Sequence, residues 1–236
     1  DVDVAAPPPP ASEPDVAVAE EAATEFTVAS PEPNLRGIEV PPVVPIPESE
    51  ADFEIVRPES KPRPFIPVRF AVLAVSDSRS LEDDRSGATL AERIVGAGHV
   101  LADRSIVTDD PKKSGKIVKK WIADPEVDVV ITTGGTGFTG RDVTPEAVEP
   151  LFEKRMDGFS VAFHMLSHAK IGASTVQSRA TAGVAGATFI FCLPGSPGAC
   201  RDAWDGILAA QLDYRTRPCN FVEIMPRLDE HLRRPK

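Results

Sequence analysis

The stretch VDVVITTGGTG, residues 127–137, decides the fold of this chain. It begins with an apolar run that is typical of a β-strand buried on both faces, and it ends with three glycines within four residues. The segment TPEAVEPLF, residues 144–152, then opens a helix, with Thr144 as its cap and Pro145 in the first turn. A buried strand, a glycine-rich turn and a helix form the unit from which parallel α/β sheets are built.

The same alternation continues on both sides of this stretch. Three further apolar runs predict strands, at residues 68–76, 99–107 and 187–195. Amphipathic or capped segments predict further helices at residues 86–98, 112–124, 157–169 and 196–214, with Ser86 and Ser196 as caps. Strands that alternate with helices imply right-handed crossovers. The sequence therefore predicts an α/β fold, a three-layer α/β/α sandwich around a mostly parallel sheet.

The composition of the chain changes near residue 64. Residues 1–67 carry 15 of the 24 prolines, 14 acidic residues and 4 basic ones, and so account for the whole net charge of −10. Such a segment buries too little apolar surface to offset the entropy of ordering. We therefore expect a disordered, acidic, proline-rich extension at residues 1–64, one domain at residues 65–221 and a C-terminal tail at residues 222–236.

The composition also argues against several classes of protein. Residues 68–236 carry 22 acidic and 22 basic residues, so no excess of positive charge is available to hold a nucleic acid. No apolar run approaches 18 residues, which predicts no membrane span. Three cysteines without CxxC spacing do not make a disulfide framework, and a reducing, cytoplasmic location is expected.

Three loops follow the predicted strands and should meet at one edge of the sheet, where open α/β sheets bind ligands. They are residues 76–87, 132–142 and 193–198. The glycines of the second loop let backbone N–H groups approach an anion, and the helix that follows adds its positive N-terminal end. A carboxylate beside such an anion site, here Asp142, indicates a Mg²⁺ ion between the carboxylate and a phosphate.

Further charged residues are expected at the same edge. Arg79 and Arg179 would complete a cradle for an anionic ligand with several atoms. Asp109 and Asp110 follow the second strand, and either could supply another carboxylate that binds a metal or acts as a base. The same two residues could instead cap the lysine-rich helix at 112–124.

Two other chemistries fit the sequence less well. Residues 135–140 match the GxGxxG pattern of dinucleotide sites, but no clear ribose-binding acid follows about 20 residues later, and the loop comes after the third strand rather than the first. His164 and His168 have the spacing of paired zinc ligands, but the glutamate of an HExxH motif and a third ligand are missing from the sequence pattern.

Six segments together resemble the MoaB/MogA family of molybdenum cofactor biosynthesis proteins. They are VSDSR at 75–79, DDRSG at 83–87, TTGGTG at 132–137, RDVTPEA at 141–147, STVQSRA at 174–180 and LPGSP at 193–197. The resemblance covers about residues 65–220. Residues 166–183 and 211–221 look closer to the MoaB branch of the family.

This resemblance implies a three-layer α/β domain that assembles as a trimer or hexamer. It also implies binding of molybdopterin, a pterin with a dithiolene and a terminal phosphate. Active members are adenylyltransferases that transfer AMP from Mg-ATP to that phosphate. By position, Asp142 and Asp109 match carboxylates associated with Mg²⁺ and catalysis. The positions that would bind the pterin and phosphates are Ser76, Asp77, Thr133, Gly134, Gly135, Thr136, Gly137, Ser178, Arg179, Pro194, Gly195 and Ser196.

The sequence leaves three hypotheses open. The first is a molybdopterin adenylyltransferase. The second is a carrier that binds molybdopterin without any chemistry. The third is a scaffold in which residues 1–63 recruit partners, such as other molybdenum cofactor biosynthesis proteins.

Overall fold

The computed structural model describes residues 62–233 of the chain. The predicted extension at residues 1–64 therefore lies outside the described residues, apart from its last three positions. Six strands are present in the described part: β1 (Arg69–Val75), β2 (Val100–Val107), β3 (Val129–Thr133), β4 (Lys154–Arg155), β5 (Thr181–Ala185) and β6 (Thr188–Leu193). They form one sheet in the order β2-β1-β3-β6-β5-β4.

Most of this sheet is parallel, which confirms the predicted fold class. The strands β2, β1, β3 and β6 run parallel, whereas β5 is antiparallel to β6 and β4 is antiparallel to β5. The strands β4 and β5 were not predicted from the sequence. Their sequences, KR and TAGVA, lack the run of large apolar residues that marks a buried strand.

Helices cover both faces of the sheet. They are α1 (Arg85–Gly96), α2 (Pro111–Ile122), α3 (Thr144–Val148), α4 (Asp157–Ile171), α5 (Pro197–Ala203), α6 (Ala209–Gln211), α7 (Phe221–Ile224) and α8 (Glu230–Arg233). A π-helical turn at Trp204–Leu208 joins α5 to α6, so the helix predicted at residues 196–214 ends at Gln211.

The two faces of β1 divide the core into two layers. Phe70 and Val72 pack with residues of α1, α4 and α5 on one side of the sheet. Ala71 and Leu73 pack with residues of α2 and α3 on the other side. Because successive side chains of a strand point to opposite faces, a run of consecutive apolar residues is what a strand between two helical layers requires.

Two of the predicted helix caps are wrong. Asp84 caps α1, since its carboxylate accepts a hydrogen bond from the backbone N–H of Gly87 at 2.9 Å. The hydroxyl of Ser86 instead donates to the carbonyl oxygen of Gly195 at 2.9 Å. Thr144 is the first residue of α3, and no side chain caps this five-residue helix. The prediction for Ser196 is confirmed, because its hydroxyl accepts from the N–H of Ala199 at 3.1 Å.

The chain packs against the core beyond residue 214. The predicted domain boundary at residue 221 falls at the start of α7, in which Val222 is buried. Met225 and Leu228 pack against the same core layer as α1 and α4. Within residues 62–233, every helix is too short or too polar to cross a lipid bilayer.

His99 is a buried titratable group in this core, and its exposed fraction is 6%. Its ring lies between Phe65, Phe70 and Trp204, and its Nδ1 accepts a hydrogen bond from the N–H of Val68 at 3.2 Å. Burial lowers the pKa of His99 below its ordinary value; Asp213 opposes this shift and Arg215 adds to it. The ring is therefore neutral in the folded protein near neutral pH.

We expect the protein to lose stability as the pH falls below about 6.5, the pKa of histidine in an unfolded chain. Below that pH the unfolded state takes up a proton that the folded state does not yet bind, so the free energy of unfolding decreases by up to about 1.4 kcal/mol per pH unit. Urea denaturation of the wild type and of His99→Gln at pH 7.5 and 5.5 measures this effect. The variant keeps an acceptor for Val68 but should lose this part of the pH dependence; equal pH dependence in both proteins would contradict the assignment.

Candidate functional site

A cleft with a volume of about 520 Å³ opens where β1, β3 and β6 end. These strands are parallel neighbours, and their register places Ala74 beside Thr133, and Thr133 beside Leu193. The loops that follow them therefore meet at one edge of the sheet, as the sequence predicts for a ligand site.

Most of the residues that the resemblance assigns to a site line this cleft. They are Ser76, Asp77, Asp109, Thr133, Gly134, Gly135, Thr136, Gly137, Asp142, Ser178, Pro194 and Gly195. Two assigned residues, Arg179 and Ser196, do not line it. Ser196 caps α5 with its hydroxyl instead.

Several lining residues were not assigned to the site from the sequence. Ser78, Asp84, Ser86, Thr139 and Arg141 belong to the loops named above, whereas Ala74 and Val75 end β1 and Gln177 lies outside the loops. Its position directly before Ser178, which was assigned to the site, was the one signal in the sequence that could have identified Gln177 as a lining residue. Arg79, expected in the cradle, does line the cleft.

The glycine-rich loop, residues 134–137, is held close to the neighbouring strands. The N–H of Gly134 donates to the carbonyl oxygen of Leu193 at 3.0 Å, and the hydroxyl of Thr133 donates to the carbonyl oxygen of Pro194 at 2.9 Å. Gly134 has a φ of +103°, and a Cβ at this position would lie 2.2 Å from the carbonyl oxygen of Val75. Glycine is required here because its backbone passes directly over the end of β1.

Asp142 is a carboxylate that stays ionised at the rim of the cleft. Its Oδ2 accepts hydrogen bonds from the hydroxyl of Thr139 at 2.6 Å and from the N–H of Thr139 at 2.9 Å. These bonds, the hydroxyl's above all, lower the pKa of Asp142 below its ordinary value, and the positive charge of Arg179 adds to the effect.

Asp109 differs from Asp142 because its surroundings raise its pKa. Burial raises its pKa, and the negative charges of Asp77 and Asp142 raise it further, while Arg141 lowers it. Its Oδ1 is buried and has no hydrogen-bond partner among residues 62–233. The neighbouring Asp77 is itself paired with Arg141 and accepts a hydrogen bond from the N–H of Asp109 at 3.1 Å. Asp109 therefore has a buried carboxyl oxygen beside the cleft that no described residue satisfies by a hydrogen bond.

The cleft can share a cation with a ligand but does not form a complete metal site. Within the described residues, no group of three or more His, Cys, Asp or Glu side chains could hold a metal ion. Mg²⁺ commonly binds through one or two carboxylates together with water and substrate phosphates. The unpartnered oxygen of Asp109 and the ionised Asp142 fit that kind of shared site, because both lack a cationic side chain in direct contact in the described structure.

Arg179 lies outside the cleft and contacts the segment that follows the glycine-rich loop. Its Nε donates to the carbonyl oxygen of Gly137 and its Nη2 to that of Asp142, both at 2.8 Å. Its Nη1 pairs with the carboxylate of Glu146. The guanidinium also lies over the ring of Phe138, at 5.5 Å from the ring centroid.

Comparisons with known proteins indicate the family to which this chain belongs. Residues 71–214 match the family model MoCF_biosynth, described as a probable molybdopterin binding domain. The chain is 52% identical over 157 residues to molybdenum cofactor biosynthesis protein B of Escherichia coli K12, covering 66% of this chain and 92% of that protein. It is 40% identical over 151 residues to the protein of the same name from Bacillus subtilis, covering 64% and 89% of the two chains.

Solved structures give the same result. A crystal structure of molybdenum cofactor biosynthesis protein B matches with a TM-score of 0.64 and 36% identity, over 71% of this chain and 99% of that one. The tungsten cofactor synthesizing protein MoaB from Pyrococcus furiosus matches with a TM-score of 0.57 and 30% identity, over 69% and 98% of the two chains.

Proposed function

Because the chain belongs to the MoaB/MogA family of probable molybdopterin binding domains, we propose that it binds molybdopterin and transfers AMP from Mg-ATP to the terminal phosphate of this pterin. The observation that carries the proposal is the cleft itself. A glycine-rich loop and two carboxylates line one cavity at the carboxyl edge of the parallel strands. The pKa of Asp109 is raised and the pKa of Asp142 is lowered.

In the proposed reaction, an oxygen of the terminal phosphate of molybdopterin attacks the α-phosphorus of ATP. The bond from that phosphorus to the bridging oxygen of the β-phosphate breaks, so the products are adenylylated molybdopterin and pyrophosphate. Such a transfer needs positioning and charge neutralisation more than a protein nucleophile. The thiol of Cys200, which contacts the hydroxyl of Thr133 just before this loop, is not available as a nucleophile, because burial raises its pKa to about 11 and keeps it protonated.

The residues of the chain have separate parts in this proposal. The backbone of residues 134–137 holds phosphate oxygens, since its glycines permit a close approach. Asp109 and Asp142 would hold Mg²⁺ together with the ligand phosphates. The ion would supply positive charge to the reacting phosphates.

The test is to incubate the full chain with molybdopterin and Mg-ATP, and to measure adenylylated pterin and pyrophosphate. Both products are expected in equal amounts. Saturable binding of the pterin without ATP consumption would support the carrier hypothesis instead. The absence of both binding and product would overturn the proposal.

Asp109 and Asp110 can be distinguished by matched alanine substitutions. Asp110 is the N-cap of α2, and its Oδ1 accepts hydrogen bonds from the N–H groups of Lys112 and Lys113 at 2.8 and 3.2 Å. Asp110→Ala should therefore lower the free energy of unfolding by about 1 kcal/mol and leave AMP transfer nearly unchanged. Asp109→Ala should abolish AMP transfer without a comparable loss of stability. Urea denaturation and the product assay check both variants, and the reverse assignment of the two effects would contradict the proposed role of Asp109.

We also propose that the chain assembles as a trimer or hexamer through the outer face of α4. Val161 and Met165 on this helix are 60% and 70% exposed, and they line a depression with His164, His168 and Thr175. Ile171 and Val176 are exposed nearby. Apolar side chains grouped in this way mark an interface more often than a free surface.

A charge on this face should prevent assembly. Met165→Glu is expected to convert the trimer or hexamer to a monomer, because each interface would bury an unpaired carboxylate. Light scattering coupled to size-exclusion chromatography measures the mass. Lys116→Glu, an exposed position on α2, is the control and should assemble like the wild type. A monomeric wild type would contradict the proposal.

A further inference from the structure

Arg179 makes contacts that differ from those of a phosphate-binding arginine. The resemblance assigns it to the ligand, but the structure directs its side chain to the protein. Beyond the two hydrogen bonds to carbonyl oxygens of Gly137 and Asp142, its own backbone N–H donates to the carbonyl oxygen of Thr136 at 2.9 Å. Arg179 thus binds three carbonyl groups of the segment 136–142. It lies 42 positions after Gly137 and 37 positions after Asp142 in the chain.

The charge of Arg179 is also balanced within the protein. Glu146, in the first turn of α3, pairs with its guanidinium, and this contact lowers the pKa of Glu146. The two residues border a separate depression of about 570 Å³, together with Pro145, Glu149 and Arg155, whereas neither lines the cleft. The charge of Arg179 is thus paired with a carboxylate, and each of its three guanidinium nitrogens already donates to an acceptor within the protein.

We infer that Arg179 and Glu146 form a clamp that positions the glycine-rich loop and Asp142, and that Arg179 does not bind the ligand. The geometry of the peptide bond supplies the physical link. Because a peptide group is planar and trans, its N–H points away from the side to which its C=O points. Fixing the carbonyl of Gly137 on Arg179 therefore directs the N–H of Phe138 away from Arg179. The same holds for Asp142 and the N–H of Val143.

The planar guanidinium is suited to this task because it donates in several fixed directions at once. A lysine at residue 179 could keep the positive charge but could not reach both carbonyl groups and Glu146 in the same geometry. Hydrogen bonds from charged donors are the stronger ones, so their loss should loosen the segment measurably. The consequence for ligand binding rests on the proposed function, but the clamp itself does not.

Hydrogen exchange of the full chain without ligand tests the clamp directly. In Arg179→Lys, amides of residues 136–143 should exchange about tenfold faster or more, since about 1.4 kcal/mol of lost interaction corresponds to a factor of ten. Glu146→Gln should accelerate the same amides by a smaller factor. Glu149→Gln is the matched control, because Glu149 pairs with Arg155 beyond α3 and should leave these amides unchanged. Urea denaturation excludes a general loss of structure as the cause.

Binding of molybdopterin separates a clamp from a ligand contact. If Arg179 positions the loop, Glu146→Gln should weaken binding in the same direction as Arg179→Lys. If Arg179 instead binds phosphate, removing the charge of Glu146 would free the guanidinium and tighten binding, and the exchange rates would stay at their wild-type values. Either of these last two results would overturn the inference. If neither the wild type nor any variant binds molybdopterin, the proposed function is wrong. The exchange experiment still tests whether Arg179 and Glu146 form the clamp.

Discussion

Replacing Asp142 by asparagine should abolish measurable AMP transfer while the fold remains intact. The carboxylate of Asp142 lines the cleft, and hydrogen bonds from Thr139 hold its pKa below the ordinary value, so it carries a full negative charge at any pH near neutrality. An asparagine retains an oxygen that can accept from the N–H and the hydroxyl of Thr139, but it has no charge to hold Mg²⁺. A loss on the order of a hundredfold or more is expected for a group that acts on charged reacting atoms.

The experiment measures product formation and the free energy of unfolding for the same preparations. Asp83→Asn is the control, because Asp83 is an exposed carboxylate of the first loop that pairs with the hydroxyl of Ser80 at 2.8 Å and does not line the cleft. We expect wild-type transfer and stability from this control, and a folded Asp142→Asn protein whose stability is somewhat below that of the wild type because the folded state favours the charged carboxylate. An undiminished rate in Asp142→Asn would exclude the assigned role.

The second large effect is expected from Gly134→Ala. A Cβ at this position would lie 2.2 Å from the carbonyl oxygen of Val75, and the φ of +103° is one that alanine rarely adopts. The backbone conformation alone costs on the order of 1–3 kcal/mol. The clash with a strand that cannot move away forces the loop off the end of β1 as well. Unfolding free energy should therefore fall by more than this amount, and binding of molybdopterin should be lost.

Gly140→Ala provides the matched control in the same loop. A Cβ at residue 140 meets no atom within 4 Å, and Gly140 is not among the glycines of positive φ in the described structure. The free energy of unfolding of Gly140→Ala should stay within about 0.5 kcal/mol of the wild-type value, as for other surface substitutions. Urea denaturation and pterin binding of the two variants provide the comparison. Equal behaviour of the two alanine variants would show that close packing of the loop on β1 is not what requires glycine at residue 134.

The strands of the central sheet could be predicted because their signal is local. In β1, β3 and β6 every residue from the second onward is buried, so consecutive apolar residues in the sequence correspond directly to burial. The strands β4 and β5 could not be predicted in this way. They pair at the far edge of the sheet through small and charged residues, and their pairing depends on β6 rather than on their own composition.

The cap of α1 shows why nearby candidates can be confused. Asp84 and Ser86 are both residues that favour an N-cap, and they stand two positions apart. Which of the two residues caps α1 depends on Gly195, which lies 109 residues after Ser86 in the chain. The carbonyl oxygen of Gly195 accepts a hydrogen bond from the hydroxyl of Ser86. No rule that reads a window of sequence around α1 contains that information.

The sequence by itself determined the α/β class, the loops that meet at the cleft, and the glycines and carboxylates that line it. These features follow from local chemistry: apolar runs predict buried strands, and parallel strands bring their carboxyl ends to one edge. Only the tertiary structure decided what the charged side chains contact. It separated Asp109 in the cleft from Asp110 on the cap of α2, and it turned Arg179 toward Gly137, Asp142 and Glu146. The reason is that the direction of a long charged side chain depends on acceptors that the fold brings from distant parts of the chain, whereas the burial of a strand depends mainly on its own residues.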